Sequence, residues 1–119
     1  MQGEGDSYPG LYKNYLSNLR TFVSDLRDDL KDYTNNEKMA FIDAGISNAS
    51  VWEYYKEVND AKLEFSKEDD KNIFIDTIAS GLHTDQEPPS EPDIYHYDSA
   101  SEIELGHLFA EAIEPFLSK

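Results

Sequence analysis

The chain has 119 residues, no cysteine and a net charge of −15, with eight tyrosines, six phenylalanines and one tryptophan. That length fits one domain with a single core, and the missing thiols exclude disulfides, thiolate metal sites and a cysteine nucleophile. Such acidity sets the chain against nucleic acid and anionic membranes, while the aromatics and spaced aliphatics favour a packed domain over disorder.

Residues 1–10 carry Gly3, Gly5 and Gly10 without apolar periodicity and read as a flexible arm. They have neither the basic nor the apolar run of a targeting segment, and no apolar stretch approaches the ~20 residues of a membrane helix. A monomeric, cytoplasmic protein is the expectation. Residues 11–119 then form a single globular domain. From Leu11 to Tyr33, apolar residues recur at threes and fours and predict a long helix. Asn36 can cap a short helix over 37–44, stopped by Gly45. Ser47 or Ser50 can cap a third near 51–58, where Trp52, Tyr55 and Val58 share a face.

The alternation Lys62-Leu63-Glu64-Phe65 suits a short strand. Ser66-Lys67-Glu68-Asp69 resembles a capping box and predicts a fourth helix over 67–80, ended by Gly81. Residues 83–93 form a loop stiffened by Pro88, Pro89 and Pro92. Residues 93–97 read as a second strand, and Asp98-Ser99 starts a last helix that Pro115 limits to about Glu114. The fold class is therefore α+β: a mostly helical domain of about five helices with a small antiparallel sheet of two or three short strands.

The charge is uneven. Between Lys71 and Lys119 stand ten carboxylates and no cation. One-signed charge on that scale repels itself and attracts a partner of opposite sign. Within this stretch Glu87, Glu91 and Asp93 lie on the proline-stiffened loop, followed by Asp98. Glu104, His107, Glu111 and Glu114 are spaced three, four and three, which makes one helical stripe. Glu111 and Glu114 stand where the helix dipole disfavours acid. These features predict a partner-binding surface of Glu87, Glu91, Asp93, Asp98, Glu104, Glu111 and Glu114. Asp25, Asp28, Asp29 and Asp32 form a secondary acidic ridge.

In charge balance and length the chain resembles small acidic DNA-mimic proteins, whose carboxylates stand in for phosphates. It also resembles the immunity proteins that neutralise nuclease toxins. The resemblance implies an inhibitor, not an enzyme, that blocks the DNA-binding site of a basic nucleic-acid-binding protein: a histone-like nucleoid protein, a repressor or a nuclease. It implies no cofactor and no direct contact with nucleic acid or membrane. An alternative of another class is a metal-dependent domain using the Glu-x-x-His pair Glu104/His107. No calcium loop, phosphate loop or nucleophile elbow is present, and His83, His96 and His107 read as surface histidines.

Overall fold

The structure, a computed structural model, describes residues 2–35 and 37–117. Helix α1 spans Tyr15–Leu30, flanked by single 3-10 turns at Tyr12–Asn14 and Lys31–Tyr33. Strand β1 is Phe41–Ala44, helix α2 is Tyr55–Ser66 and strand β2 is Asn72–Ile75. The two-residue strand β3, Thr84–Asp85, precedes strand β4, Asp93–Tyr97, and helix α3, Ser99–Ile113.

The mixed α and β content is as expected, but the count and arrangement are not. Among the described residues there are three α-helices where about five were expected, and four strands in two separate sheets. Strands β1 and β2 pair in parallel, Phe41 opposite Asn72 and Ala44 opposite Ile75. The antiparallel pairing is confined to β3 and β4. Residues 41–44, assigned to a helix, form β1. Residues 62–65, assigned to a strand, are helical in α2. The expected helix over 67–80 is replaced by β2 and the turns around it. The cap assigned to Asn36 lies outside the described residues.

The cause is burial on both faces. A parallel strand joined through a helix is covered above and below, so it reads as a short apolar run rather than an alternation. Phe41 packs with Tyr15, Leu19, Val23, Val58 and Phe65 on the side of α1 and α2. Ile42, Ala44 and Ile75 pack with Leu82, Tyr97 and Leu105 on the side of α3. Tyr15, Leu19 and Val23, spaced by four, form the buried stripe of α1. Val58, Lys62 and Phe65 do the same on α2. Phe22 and Tyr33, placed by periodicity on the inner face, are 57% and 85% exposed.

Lys62 is the unexpected member of that core, 1% exposed. Its ammonium donates to the carbonyl of Gln2, to the carbonyl of Ala44 at 2.7 Å, and meets the Asp43 carboxylate at 3.1 Å. Tyr15 also donates its hydroxyl to the Gln2 carbonyl, at 3.1 Å. Residues 2–10, expected to be a loose arm, are thus fastened to the carboxyl end of β1. Ser7 is fully buried and accepts the N–H of Tyr54 at 2.9 Å. Gly3 has φ 139°, and a Cβ there would stand 2.8 Å from Val58 Cγ1, so the turn requires glycine on two counts.

Truncating one partner of a buried ion pair leaves the other charge uncompensated, at a cost of roughly 3–5 kcal/mol. Lys62→Met is therefore expected to destabilise the fold by about that amount in urea denaturation, and Lys62→Met with Asp43→Asn to recover a substantial part of the loss.

Candidate active site

Strands β3 and β4 form an irregular pair. Thr84 lies opposite Tyr97, but the next residue, Asp85, lies opposite Asp93. Ile94, Tyr95 and His96 have no counterparts and bulge outward; all three are exposed while Tyr97 is buried. Bulges commonly re-aim side chains beside functional sites. Here a single carboxylate shapes the bulge. Asp93 Oδ1 accepts the N–H of Tyr95 at 2.9 Å and that of His96 at 3.1 Å. Asp93 Oδ2 stands 2.8 Å from His96 Nδ1. The pairing gives Nδ1 the proton and leaves Nε2 as a bare acceptor. The His96 side chain is 78% exposed, so Nε2 is reachable by a substrate.

The electrostatics follow from this contact. The Asp93 carboxyl is held below its ordinary range, first by His96 and then by the N–H of Tyr95. The His96 imidazole is raised above its usual 6.5, first by the hydrogen bond to Asp93, then by that carboxylate's charge, and last by Glu102. The attraction between them is complete only while Asp93 is ionised and His96 protonated. It is lost as the pH rises through the His96 pKa and as it falls through that of Asp93. Neutral His96, the form able to accept a proton, prevails above that raised pKa.

A second pair lies close by in the chain. His83 Nδ1 is 3.1 Å from Asp98 Oδ2. Asp98 is the N-cap of α3 and accepts the N–H of Ser101 at 2.7 Å. That N–H is the chief reason the Asp98 carboxyl lies below its usual range. Ser101 Oγ in turn accepts the N–H of His83 at 3.1 Å. This pair fastens β3 to the start of α3, so its carboxylate is already occupied by the helix.

Two other segments lie beside the bulge. The turn at residues 2–10 carries Tyr8, and the loop after β1 carries Trp52. The Trp52 ring centroid is 5.8 Å from that of Tyr95 and 6.4 Å from that of Tyr8. This region adjoins the carboxyl ends of β1 and β2, where ligands of parallel α/β sheets gather. At the opposite end lies a groove of about 580 Å³, lined by Arg20, Arg27 and Lys38 among others. Its cations are engaged: Arg20 with Glu68, Lys38 with Asp69, and Arg27 with the Met39 carbonyl at 3.0 Å and Asn72 Oδ1 at 2.7 Å.

The predicted surface residues fall on three places. Glu87 and Glu91 are exposed on the loop between β3 and β4, while Asp93, which opens β4, and Asp98, which follows it, are half-buried. Glu104, His107 and Glu111 are exposed on α3 and Glu114 on the 3-10 turn after it. Asp25, Asp28, Asp29 and Asp32 are exposed along α1 and its following turn. Among the described residues no three His, Cys, Asp or Glu side chains converge as metal ligands would. No helix among them is long and apolar enough to cross a membrane. His96 was read as an ordinary surface histidine. The Asp-x-x-His spacing within one short strand was its only trace in the sequence.

A family model described as "SASA: Carbohydrate esterase, sialic acid-specific acetylesterase" matches residues 1–114. No curated protein and no solved structure matches the chain. The family match overturns the expectation of a non-enzymatic inhibitor, DNA mimic or immunity protein; among the described residues Glu104 and His107 belong to no cluster of three potential ligands. Net charge reports on steering and solubility; it does not identify a site.

His96 is expected to titrate above 6.5 by proton NMR, and Asp93→Asn to lower its pKa by removing both the hydrogen bond and the charge.

Proposed function

Because the chain belongs to the SASA family of carbohydrate esterases, the sialic acid-specific acetylesterases, we propose that it serves the hydrolysis of an acetyl ester on a sialic acid, with His96 as general base and Asp93 orienting it. The observation that carries this reading is the 2.8 Å contact between Asp93 Oδ2 and His96 Nδ1, on a bulge that presents Nε2 to solvent. It is the base-and-orienter half of the arrangement used in acyl transfer.

In the step so assigned, Nε2 takes a proton from the attacking oxygen, of water or of a hydroxyl, as that oxygen bonds to the acyl carbon. The carbonyl electrons move onto the acyl oxygen. They return as the bond to the sugar oxygen breaks, and the proton on Nε2 passes to that oxygen, which leaves as a hydroxyl. Asp93 stabilises the imidazolium formed in between and holds the tautomer without taking the proton itself. Among the described residues no serine or threonine hydroxyl is hydrogen-bonded to the His96 ring. With water as the attacking oxygen, the products are acetate and the free sugar hydroxyl.

On an O-acetylated sialic acid, His96→Ala is expected to lower kcat/KM by roughly 10²–10⁴-fold, the range of a lost general base. His83→Ala is expected to leave it nearly unchanged. The reverse result would transfer the base to the His83–Asp98 pair. The acid limb of the pH–rate profile is expected above 6.5, and Asp93→Asn to move it downward while lowering kcat.

The same reading fixes a sign for salt. A sialic acid carries a carboxylate, and the protein carries −15. Added salt screens their repulsion. The apparent KM for the anionic sugar should fall as ionic strength rises from low values, while the KM for a neutral acetate ester should stay flat.

A further inference from the structure

We propose that Tyr95 and Trp52, flanked by Tyr8, form the platform that receives the apolar face of the substrate's sugar ring beside His96. The proposal rests on the esterase reading and adds the residues that distinguish a sugar ester from any other ester.

The three rings come from three separate segments. Tyr95 lies on the β4 bulge, Trp52 on the loop after β1, and Tyr8 on the turn before α1. Tyr95 and Trp52 meet edge to face at 68°, Trp52 and Tyr8 at 79°. In each pair the edge of one ring meets a face of the other, so the rings make an angled wall and not a closed stack. Tyr95 is 54% exposed and Tyr8 39%. Leaving two large rings in water forgoes their burial, and an exposed aromatic cluster marks a binding surface. Sugar rings present C–H groups on one face and hydroxyls at the rim, which suits aromatic faces edged by polar groups.

The wall is preorganised. Trp52 leans on the core of Tyr15, Leu19, Val58 and Phe65. Its loop is held by Asn59, whose amide pairs with the N–H of Ile46 at 2.8 Å and its carbonyl at 2.9 Å. The loop ends where Tyr54 donates its N–H to Ser7 and stacks on Tyr12 at 4.2 Å. Tyr95 is fixed by its N–H to Asp93 Oδ1, and the same carboxylate positions the His96 ring. One side chain thus holds both the backbone of Tyr95 and the ring of His96. No group in the wall is charged, so it can hold an anionic sugar against the protein's own field.

Trp52 is the only tryptophan, so its fluorescence reports on this wall alone. Titration of the full chain with free N-acetylneuraminic acid, which needs no catalysis, is expected to give a saturable change. Tyr95→Ala should weaken that binding roughly fivefold, and Tyr95→Phe should preserve it, since the ring and not the hydroxyl makes the contact. His96→Ala should leave the titration intact while slowing hydrolysis by roughly 10²–10⁴-fold. Tyr95→Ala should also raise KM for the sugar ester more than it raises KM for a small aliphatic acetate. A fluorescence signal absent, or insensitive to Tyr95→Ala, would overturn the platform, and His96-dependent hydrolysis in the same preparation would show that the esterase reading survives without it. Sugar binding that depends on Tyr95, with hydrolysis indifferent to His96, would support the platform and reject His96 as the base.

Discussion

The ammonium of Lys62 joins the parts of this fold that the site depends on. It emerges from α2 into a space with 1% exposure, a position where an isolated charge is strongly unfavourable. Burial pushes its pKa down, and the Asp43 carboxylate opposes that shift. Three acceptors make the position tolerable: the Asp43 carboxylate and the carbonyls of Ala44 and Gln2. Ala44 ends β1, and Gln2 opens the turn that leads to Tyr8. A hydrophobic residue at position 62 would fill the space but remove the ammonium from the Ala44 and Gln2 carbonyls and from the Asp43 carboxylate. The cation is what holds the turn at residues 2–10 over the carboxyl end of the parallel pair, and with it one side of the aromatic wall.

Asp93 plays the corresponding part on the other side. Its two oxygens serve two levels of structure. Oδ1 takes the N–H groups that make β4 bulge, and Oδ2 takes the imidazole that the bulge presents. Backbone shape and side-chain orientation are coupled through one residue. Removing the carboxylate would change the tautomer of His96 and would also release the bend that exposes it. That coupling places Asp93 as a positioning residue, acting on the reaction only through His96. Asp98 has a similar double attachment, to the N–H of Ser101 and to His83, but there the helix start is the structure being held.

The sequence displayed these features unequally. The long helix was readable because Tyr15, Leu19 and Val23 repeat at the helical period with a polar face opposite. The strand of Asp93–Tyr97 and the helix after it were readable from turn and cap residues. Strands β1 and β2 were not. Phe-Ile-Asp-Ala and Asn-Ile-Phe-Ile are four-residue runs covered on both faces, and at that length periodicity cannot separate strand from helix. The Ser66 cap pattern was misleading because Ser66 closes α2, its hydroxyl donating to the Leu63 carbonyl at 2.7 Å. Lys62 was placed on a strand's polar face, since nothing local announces a buried cation whose acceptors lie 18 and 60 residues away. Asp93 was singled out, but as one carboxylate among many. Its partner three residues on, His96, lies far in sequence from His83 and His107 and reads alone as a surface histidine. A base with one orienting acid needs only two residues, and two residues in an acidic chain do not stand out.

Charge, which dominates the composition, takes a different place once the site is in view. The negative field favours the imidazolium, as the contribution of Glu102 to His96 illustrates. It therefore moves the base's working range toward higher pH. The same field opposes an anionic sugar at every distance beyond contact. Recognition in such a setting falls to contacts that do not depend on charge: ring faces, directed hydrogen bonds and shape. Trp52, Tyr95 and Tyr8 supply the first of these, on scaffolding fixed by Asp93 at one end and by Lys62 at the other. The acidity then costs association rate more than it costs the bound state, because the repulsion is long-ranged and screened by salt, while the ring contact is short-ranged and is not.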